Sequence, residues 1–497
     1  MNKVLKNVAA SALPQIVNII TNLILPGLII SRFGSDINGL VSTTKTIISY
    51  ISLVGAGIAA AVTQALYKPV ANNDDFIVKG MLKTANNMFT YYGFIFIGIT
   101  LITSLIYPIF IHTSISYFKI ACLLIVMSLS GASEFFAIGR CRALLYAHQK
   151  VYICSLIQAF SLILGLGIAV IMLSLNVGIV AVQFSVSVVY VLRGVFLSGY
   201  VRLSYPQYLN YKSVPSVKDA IQKRNDAMIH QLSGLAVTGS SAAILTFIVD
   251  LKAASVYSVY NIVLYGIRNI CSNICTAVTP FLGKKYALNQ EKELKKVFNA
   301  VEFVFFFFVT LILMVTMAML ISFVSLYTSG ADVNYVFPLF AFLFVISSSF
   351  YILKLPGTAL INVAGHFNET KWRAILEAML SIVLSVIFTI VFGKSGVLIG
   401  TGIALCWRCI DTIIYTSKRI LHCGAKQSVL RLLLSILNLF LVKILGLVFE
   451  IKIVSWWSWI QMSTLWFAVS LIVLTLEAVC FEKEAIKIII SFFKKSD

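Results

Sequence analysis

The chain has 497 residues, 59% of them hydrophobic and only 12% charged, with a mean hydropathy of +0.94. A soluble globular domain carries roughly 25% charged residues, so this composition excludes one and marks an integral membrane protein. The formal charge of +20 does not indicate nucleic acid, because the basic residues gather between apolar runs.

Those runs are about 20 residues long, enough to cross about 30 Å of hydrocarbon as a helix, and they predict fourteen transmembrane helices. The first, 9 to 31, lacks a long basic region before it and a small-residue cleavage site after it, so it reads as a retained helix. It bears a polar stripe of Ser11, Gln15, Asn18 and Asn22. The second, 40 to 66, shows at alternating steps of three and four a single polar or small face: Ser42, Lys45, Ser49, Ser52, Ala56, Ala59 and Thr63. Spans 84 to 107 and 120 to 146 follow, the latter carrying Glu134, the one acid deep in the first six helices. Glu134 either pairs with a basic residue of the cleft or carries a coupling proton if burial raises its pKa. Spans 151 to 173 and 178 to 200 complete six helices, with Arg193 in the last.

The seventh span, 227 to 249, has a stripe of Gln231, Gly234, Thr238 and Ser241. The eighth, 254 to 282, shows the face Ser258, Asn261, Tyr265, Arg268, Ser272, Cys275 and Thr279. Spans 298 to 326 and 336 to 362 come next, the second with Lys354. Spans 372 to 392 and 396 to 416 follow, with Arg408 and Asp411 placed to neutralise each other three residues apart on one helix. Spans 428 to 449, which contains Lys443, and 454 to 480 end the series.

With the N-terminus taken as cytoplasmic, 28 basic residues fall in the tails and even-numbered connections against 5 on the opposite side, which predicts that both termini are cytoplasmic. The outer loops hold no cysteine, so no disulfide framework is expected. "CWRC" at Cys406 to Cys409 has redox spacing but lies in an apolar helix instead of a βαβ unit, and is read as buried small residues. "FGKSG" at Phe392 to Gly396 would need a glycine at Phe388 to be a phosphate loop, and is read as a turn between helices.

Sliding the chain by 216 residues lays Asp36 to Pro69 over Lys252 to Lys285 without a gap, Gln15 over Gln231, and Ala143, Leu144 over Ala359, Leu360. Two six-helix repeats plus two added helices follow, giving an all-α polytopic membrane protein: an N-lobe (1–215), a C-lobe (216–425), and helices 13 and 14 with a basic tail (426–497). The repeat puts Lys45 and Arg268 on corresponding faces. A guanidinium near the bilayer centre costs between about 2.5 and 17 kcal/mol unless it faces protein or water, so both cations mark a wet, cationic cavity. The uncharged stripe residues also suit glue between packed helices, and Arg193 and Lys354 lie near enough to helix ends to snorkel. A cationic cavity suits an anionic cargo: Arg offers a planar fork for phosphate oxygens and Lys a compact charge.

"FGSDINGLVS" (Phe33 to Ser42) before a small-residue helix, its counterpart "DLKAASVYSVYNIV" (Asp250 to Val263), and twelve duplicated helices plus two resemble the O-antigen and capsule repeat-unit flippases of the multidrug/oligosaccharidyl-lipid/polysaccharide (MOP) exporter superfamily. The resemblance implies two lobes around a central cavity in the bacterial cytoplasmic membrane that opens alternately to either face. It implies an undecaprenyl-pyrophosphate-linked oligosaccharide as cargo, with Lys45 and Arg268 on the pyrophosphate, Arg193 and Lys354 adding charge, and Gln15, Asn18, Ser49, Ser52, Gln231, Asn261, Tyr265 and Ser272 lining the path. Membrane lipids, a polysaccharide polymerase and chain-length machinery are the implied partners; no nucleic acid, cofactor, metal or catalytic residue is called for. Within the same superfamily a lipid II flippase fits the same helix count and charge. A cation-coupled drug exporter is expected to hold an acid on its first helix, where residues 9 to 31 have none. A membrane glycosyltransferase or polymerase would be expected to carry a larger outer loop with catalytic groups.

Overall fold

The computed structural model describes residues 3–55, 57–111, 113–208, 214–215, 224–448, 453–483 and 485–486. They form sixteen helices: α1 (Lys3–Ser52), α2 (Ile58–Ala71), α3 (Asp75–Ile106), α4 (Tyr117–Ser133), α5 (Gly139–Ala147), α6 (Val151–Ser174), α7 (Ile179–Ser204), α8 (Arg224–Ile248), α9 (Leu251–Ala287), α10 (Glu291–Tyr327), α11 (Pro338–Leu353), α12 (Leu355–Ala364), α13 (Phe367–Phe392), α14 (Gly396–Tyr415), α15 (Lys426–Val448) and α16 (Trp456–Phe481). Among the described residues there is no strand.

Among the described residues, eleven stretches are long and apolar enough to cross a bilayer. Two of them are double. Ala12–Gly55 passes through a break at Gly34, and Phe367–Ile420 contains both α13 and α14. With the shorter apolar helix Leu232–Ile248 they make the fourteen crossings that the hydropathy predicts, in an all-α polytopic membrane fold.

Helix boundaries repeat at the spacing found in the sequence. Asp75, Gly139 and Val151 each begin a helix, and 216 residues later so do Glu291, Leu355 and Phe367. The chain from Ser35 to Ala71 corresponds in the same way to α9, from Leu251 to Ala287. The first copy is interrupted between Ser52 and Ile58, where Gly57 takes a left-handed conformation with φ of 79°, whereas α9 runs unbroken. A π-helical turn at Glu134–Ile138 joins α4 to α5, and its counterpart is the break at Lys354 between α11 and α12.

Packing divides the chain into two compact units, residues 1–258 with 331–333, and residues 259–330 with 334–497. The 215/216 division is one of sequence repetition. The compact division falls later because the start of the second repeat packs on the start of the first. In the first unit, Gly34 breaks α1 with φ 82° and ψ 174°, a conformation that favours glycine. The arm after it is capped from a distance: the Asp332 carboxylate accepts from the Ser35 backbone N–H at 3.0 Å and from its hydroxyl at 2.5 Å. Asn38 Nδ2 donates to Ser255 Oγ at 2.7 Å and Ser258 Oγ at 3.0 Å, and Thr43 Oγ1 lies 2.5 Å from Thr246 Oγ1. Gly39 passes so close to α9 that a Cβ there would stand 1.9 Å from the Leu251 carbonyl oxygen. The "FGSDING" stretch is thus a break, a cap and a close approach in seven residues. Leu40, Ile58, Leu66, Val78, Phe96, Leu123 and Leu124 make the centre of this unit's core.

In the second unit, Tyr260 is fully buried against Phe340 and Phe344, its hydroxyl donating to the Tyr335 carbonyl at 2.8 Å and accepting from Phe337 N–H at 3.1 Å. Lipid tails are as apolar as leucine, so close backbone packing matters more than apolar burial between such helices. The α13–α14 hairpin shows this: Cβ atoms on Gly396 and Gly400 would stand 1.9 Å from Phe388 O and 2.2 Å from Ser385 N. "FGKSG" is its turn, with Gly393 at φ 59°. Cys406 and Cys409 lie one turn apart on α14 as free thiols.

Candidate functional site

In the first unit, the arm of α1 after Gly34 presents Lys45, whose side chain is exposed and whose ammonium has no hydrogen-bonded or ionic partner among the described residues. Ser49 and Ser52 lie on the same face and donate their hydroxyl protons back to the Lys45 and Ile48 carbonyls, at 2.9 and 2.8 Å. This back-bonding commits their protons and leaves only lone pairs for a ligand. On the first arm of α1, Gln15 is exposed and Asn18 accepts from Asn22 Nδ2 at 3.3 Å.

Glu134, Arg142 and Arg193 gather around the π turn. Glu134 opens that turn and meets Arg142 Nη2 at 2.5 Å, a basic residue counted among the connections and not among the cleft cations. Arg193 on α7 donates to Gln158 Oε1 on α6 at 3.4 Å and interacts electrostatically with Glu134. The side chain of Gln231 lies outside the described residues.

In the second unit, α9 carries Asn261, Tyr265, Arg268 and Ser272. Tyr265 is exposed, and Arg268 donates through Nη2 to Asn261 Oδ1, two turns back on the same helix. Among the described residues no carboxylate reaches Arg268. Its guanidinium carbon instead lies 5.7 Å from the ring centre of Tyr351 on α11, and Lys354 Nζ lies 5.0 Å from the same ring. Lys354 stands at the break between α11 and α12, is 9% exposed, and pairs with Glu377 on α13. Glu377 Oε2 is 3.3 Å from Arg408 Nε, Arg408 Nη1 is 2.5 Å from Asp411 Oδ2, and Asp411 also takes Arg373. Arg373 in turn lies 4.9 Å from the ring centre of Tyr415.

A ladder of three cations and two carboxylates therefore runs through α11, α13 and α14, and Arg268 stands at its end without an acid of its own. Lys354, expected at a cavity, has its charge taken up by Glu377. Arg408 and Asp411 pair as their spacing predicts, and Glu377 extends the pair into a network that sequence spacing misses. The signal for Glu377 was its place as the only acid within the span 372 to 392.

A third cluster ties the last two helices to α10. Arg431 on α15 is buried and uses Nε, Nη1 and Nη2 to reach Glu302, Glu482 and Asn299 at 2.6–3.3 Å.

No family model matches the chain, and no curated protein matches it. Among solved structures it is similar to the lipid II flippase MurJ in an inward closed conformation, with a TM-score of 0.66 and 12% identity over 96% of this chain and 99% of that one. It is also similar to a multidrug resistance MATE family transporter of the MOP superfamily in an inward-facing conformation, with a TM-score of 0.63 and 15% identity over 83% of this chain and 98% of that one. A MOP superfamily transporter from Pyrococcus furiosus gives a TM-score of 0.57 and 13% identity over 84% and 95%. The chain has the fold of these transporters. The 96% coverage by the lipid II flippase leaves too few residues aside to omit α15 and α16.

Proposed function

We propose that the chain is a transporter that carries an undecaprenyl-pyrophosphate-linked oligosaccharide across the bacterial cytoplasmic membrane by alternating access, with both termini cytoplasmic. The observation that carries this reading is that Lys45 and Arg268, on corresponding faces of the two repeats, meet no carboxylate among the described residues, as Arg193 and Lys443 also do not, whereas Lys354, Arg373, Arg408 and Arg431 each meet one. A cation left without a carboxylate in a membrane-spanning helix is costly to keep, and an anionic cargo offsets that cost. Arg268, with four of its five N–H donors uncommitted among the described residues, suits two oxygens of one phosphate, and Lys45, in the first unit, suits an anion as a point charge. The exposed Tyr265 ring offers a face for a sugar.

The fold shared with a lipid II flippase supports a lipid-linked cargo, and lipid II itself, which carries the same diphosphate chemistry, is the second reading. A polymerase and chain-length machinery would act on the delivered units. Translocation of a fluorescent lipid-diphosphate oligosaccharide in proteoliposomes tests the proposal. Lys45→Ala and Arg268→Ala are each expected to reduce transport at least about tenfold at matched insertion, equivalent to about 1.4 kcal/mol of lost binding. Transport indifferent to both substitutions refutes the binding role. Preferential movement of lipid II over the oligosaccharide lipid selects the second reading.

A further inference from the structure

Arg268 lies on α9, a long helix whose own sequence does nothing to hold a flexible guanidinium in one place beyond the Asn261 contact. Tyr351 comes from α11, and its ring is approached by two cations, Arg268 at 5.7 Å and Lys354 at 5.0 Å. Both distances lie within the range of about 6 Å over which a ring quadrupole attracts a cation. Lys354 is held in turn by Glu377, which Arg408 also holds. The ring thus lies between a lysine held in a buried ion network and the Arg268 guanidinium of α9, within cation–π range of both.

We infer that Tyr351 is a positioning residue for Arg268, holding that guanidinium over its ring so that its free N–H donors stay available to a diphosphate. The chemistry is suited to the task. A carboxylate at this place would neutralise Arg268 and compete with an anionic ligand, whereas an aromatic face orients the cation and leaves its donor edge and net charge intact. The Lys354–Glu377 pair has a second consequence: of the two cations at this ring, Lys354 has a carboxylate beside it and Arg268 meets none among the described residues. The inference rests on the proposed transport of a diphosphate lipid for its purpose, and on the Tyr351 geometry alone for its mechanism.

Two readouts separate these. The first needs no cargo. Full-length protein in detergent is treated with an arginine-selective dicarbonyl, p-hydroxyphenylglyoxal, and adduct formation at Arg268 is followed by peptide mass spectrometry, with Arg193 as an internal reference. Tyr351→Leu is expected to accelerate the Arg268 reaction about threefold to tenfold, the range of an exposed to partly desolvated cation–π contact, while Tyr351→Phe, which keeps the ring, stays at the parental rate. Tyr351→Met removes the ring with a flexible side chain and serves the same purpose where Tyr351→Leu folds poorly. Equal rates in parent, Phe and ring-less variants overturn the inference, as does a rise at Arg193 equal to that at Arg268, which reports general loosening.

The second readout is transport of the lipid-diphosphate oligosaccharide. Tyr351→Leu is expected to raise KM by a similar factor with kcat little changed, and to add nothing further in an Arg268→Ala background. An effect of Tyr351→Leu that persists undiminished without Arg268 overturns the positioning role. Selective Arg268 exposure in a protein that moves no diphosphate lipid leaves the positioning in place and refutes the proposed cargo.

Discussion

Glu377 is held by Lys354 on one side and Arg408 on the other, and all three side chains are nearly closed to solvent. Removing its charge leaves Lys354 without a carboxylate, whereas Arg408 keeps Asp411. Breaking a buried pair in this way costs about 3–5 kcal/mol, chiefly from the orphaned charge. Glu377→Leu is thus expected to lower the thermal unfolding midpoint in detergent sharply, and Lys354→Met added to it to restore most of the loss. An unaltered midpoint in the single variant would show that the network does not bear on stability. Arg408 and Asp411 were readable as partners because they lie one turn apart. Lys354 and Glu377 are 23 residues apart on different helices, and nothing in a linear pattern pairs them. For the same reason the role of Lys354 was open in sequence, between a cavity cation and a snorkelling one, and only the neighbour across the helix interface shows a third arrangement, an internal pair.

Helices follow from hydropathy, but their breaks come from single residues and distant partners. The Gly34 break falls in the gap that the apolar pattern leaves between 31 and 40, but the cap that stabilises the restart has no local signal: it is Asp332, nearly 300 positions later. The π turn at Glu134–Ile138 was equally hidden, since one extra residue in a turn barely disturbs an apolar run of 27. The junction between α5 and α6 carries a testable consequence. His148 stacks on Tyr205 at 4.4 Å and approaches Tyr208 at 6.0 Å, with its Nε2 buried and without a hydrogen-bond partner. Burial, followed by the charge of Lys150, pushes its pKa below the ordinary imidazole value, against a smaller opposing pull from Asp75. The unfolded chain then binds the proton more readily than the folded one. The stability tied to neutral His148 is complete above about pH 6.5 and is lost as the pH falls through the lowered folded value. Between about pH 7.5 and pH 5 the melting midpoint of the parent is expected to fall more steeply than that of His148→Phe, which preserves the ring stack. Parallel curves would remove His148 from the pH response.

Across the whole molecule, fourteen crossings are an even number, and the proposed orientation, with both ends on the cytoplasmic side, rests on the strong asymmetry of basic residues. Reporters fused to the two ends are expected to give the same, cytoplasmic, signal in intact cells; opposite signals would require an odd number of crossings. The membrane class, the helix count and the 216-residue repeat all follow from the sequence alone, because each depends on composition and periodicity along one chain: hydrocarbon demands about 20 apolar residues per crossing, and duplication preserves spacing. The faces bearing Lys45 and Arg268 follow too, since helical period orders residues around an axis. Tertiary structure decided which membrane charges are cancelled. Glu377, Asp411, Glu302 and Glu482 each reach a cation across a helix interface, while Lys45, Arg193, Arg268 and Lys443 form no ion pair among the described residues. Charge compensation in a low-dielectric interior acts over a few ångströms in space, a distance that no spacing along the sequence records.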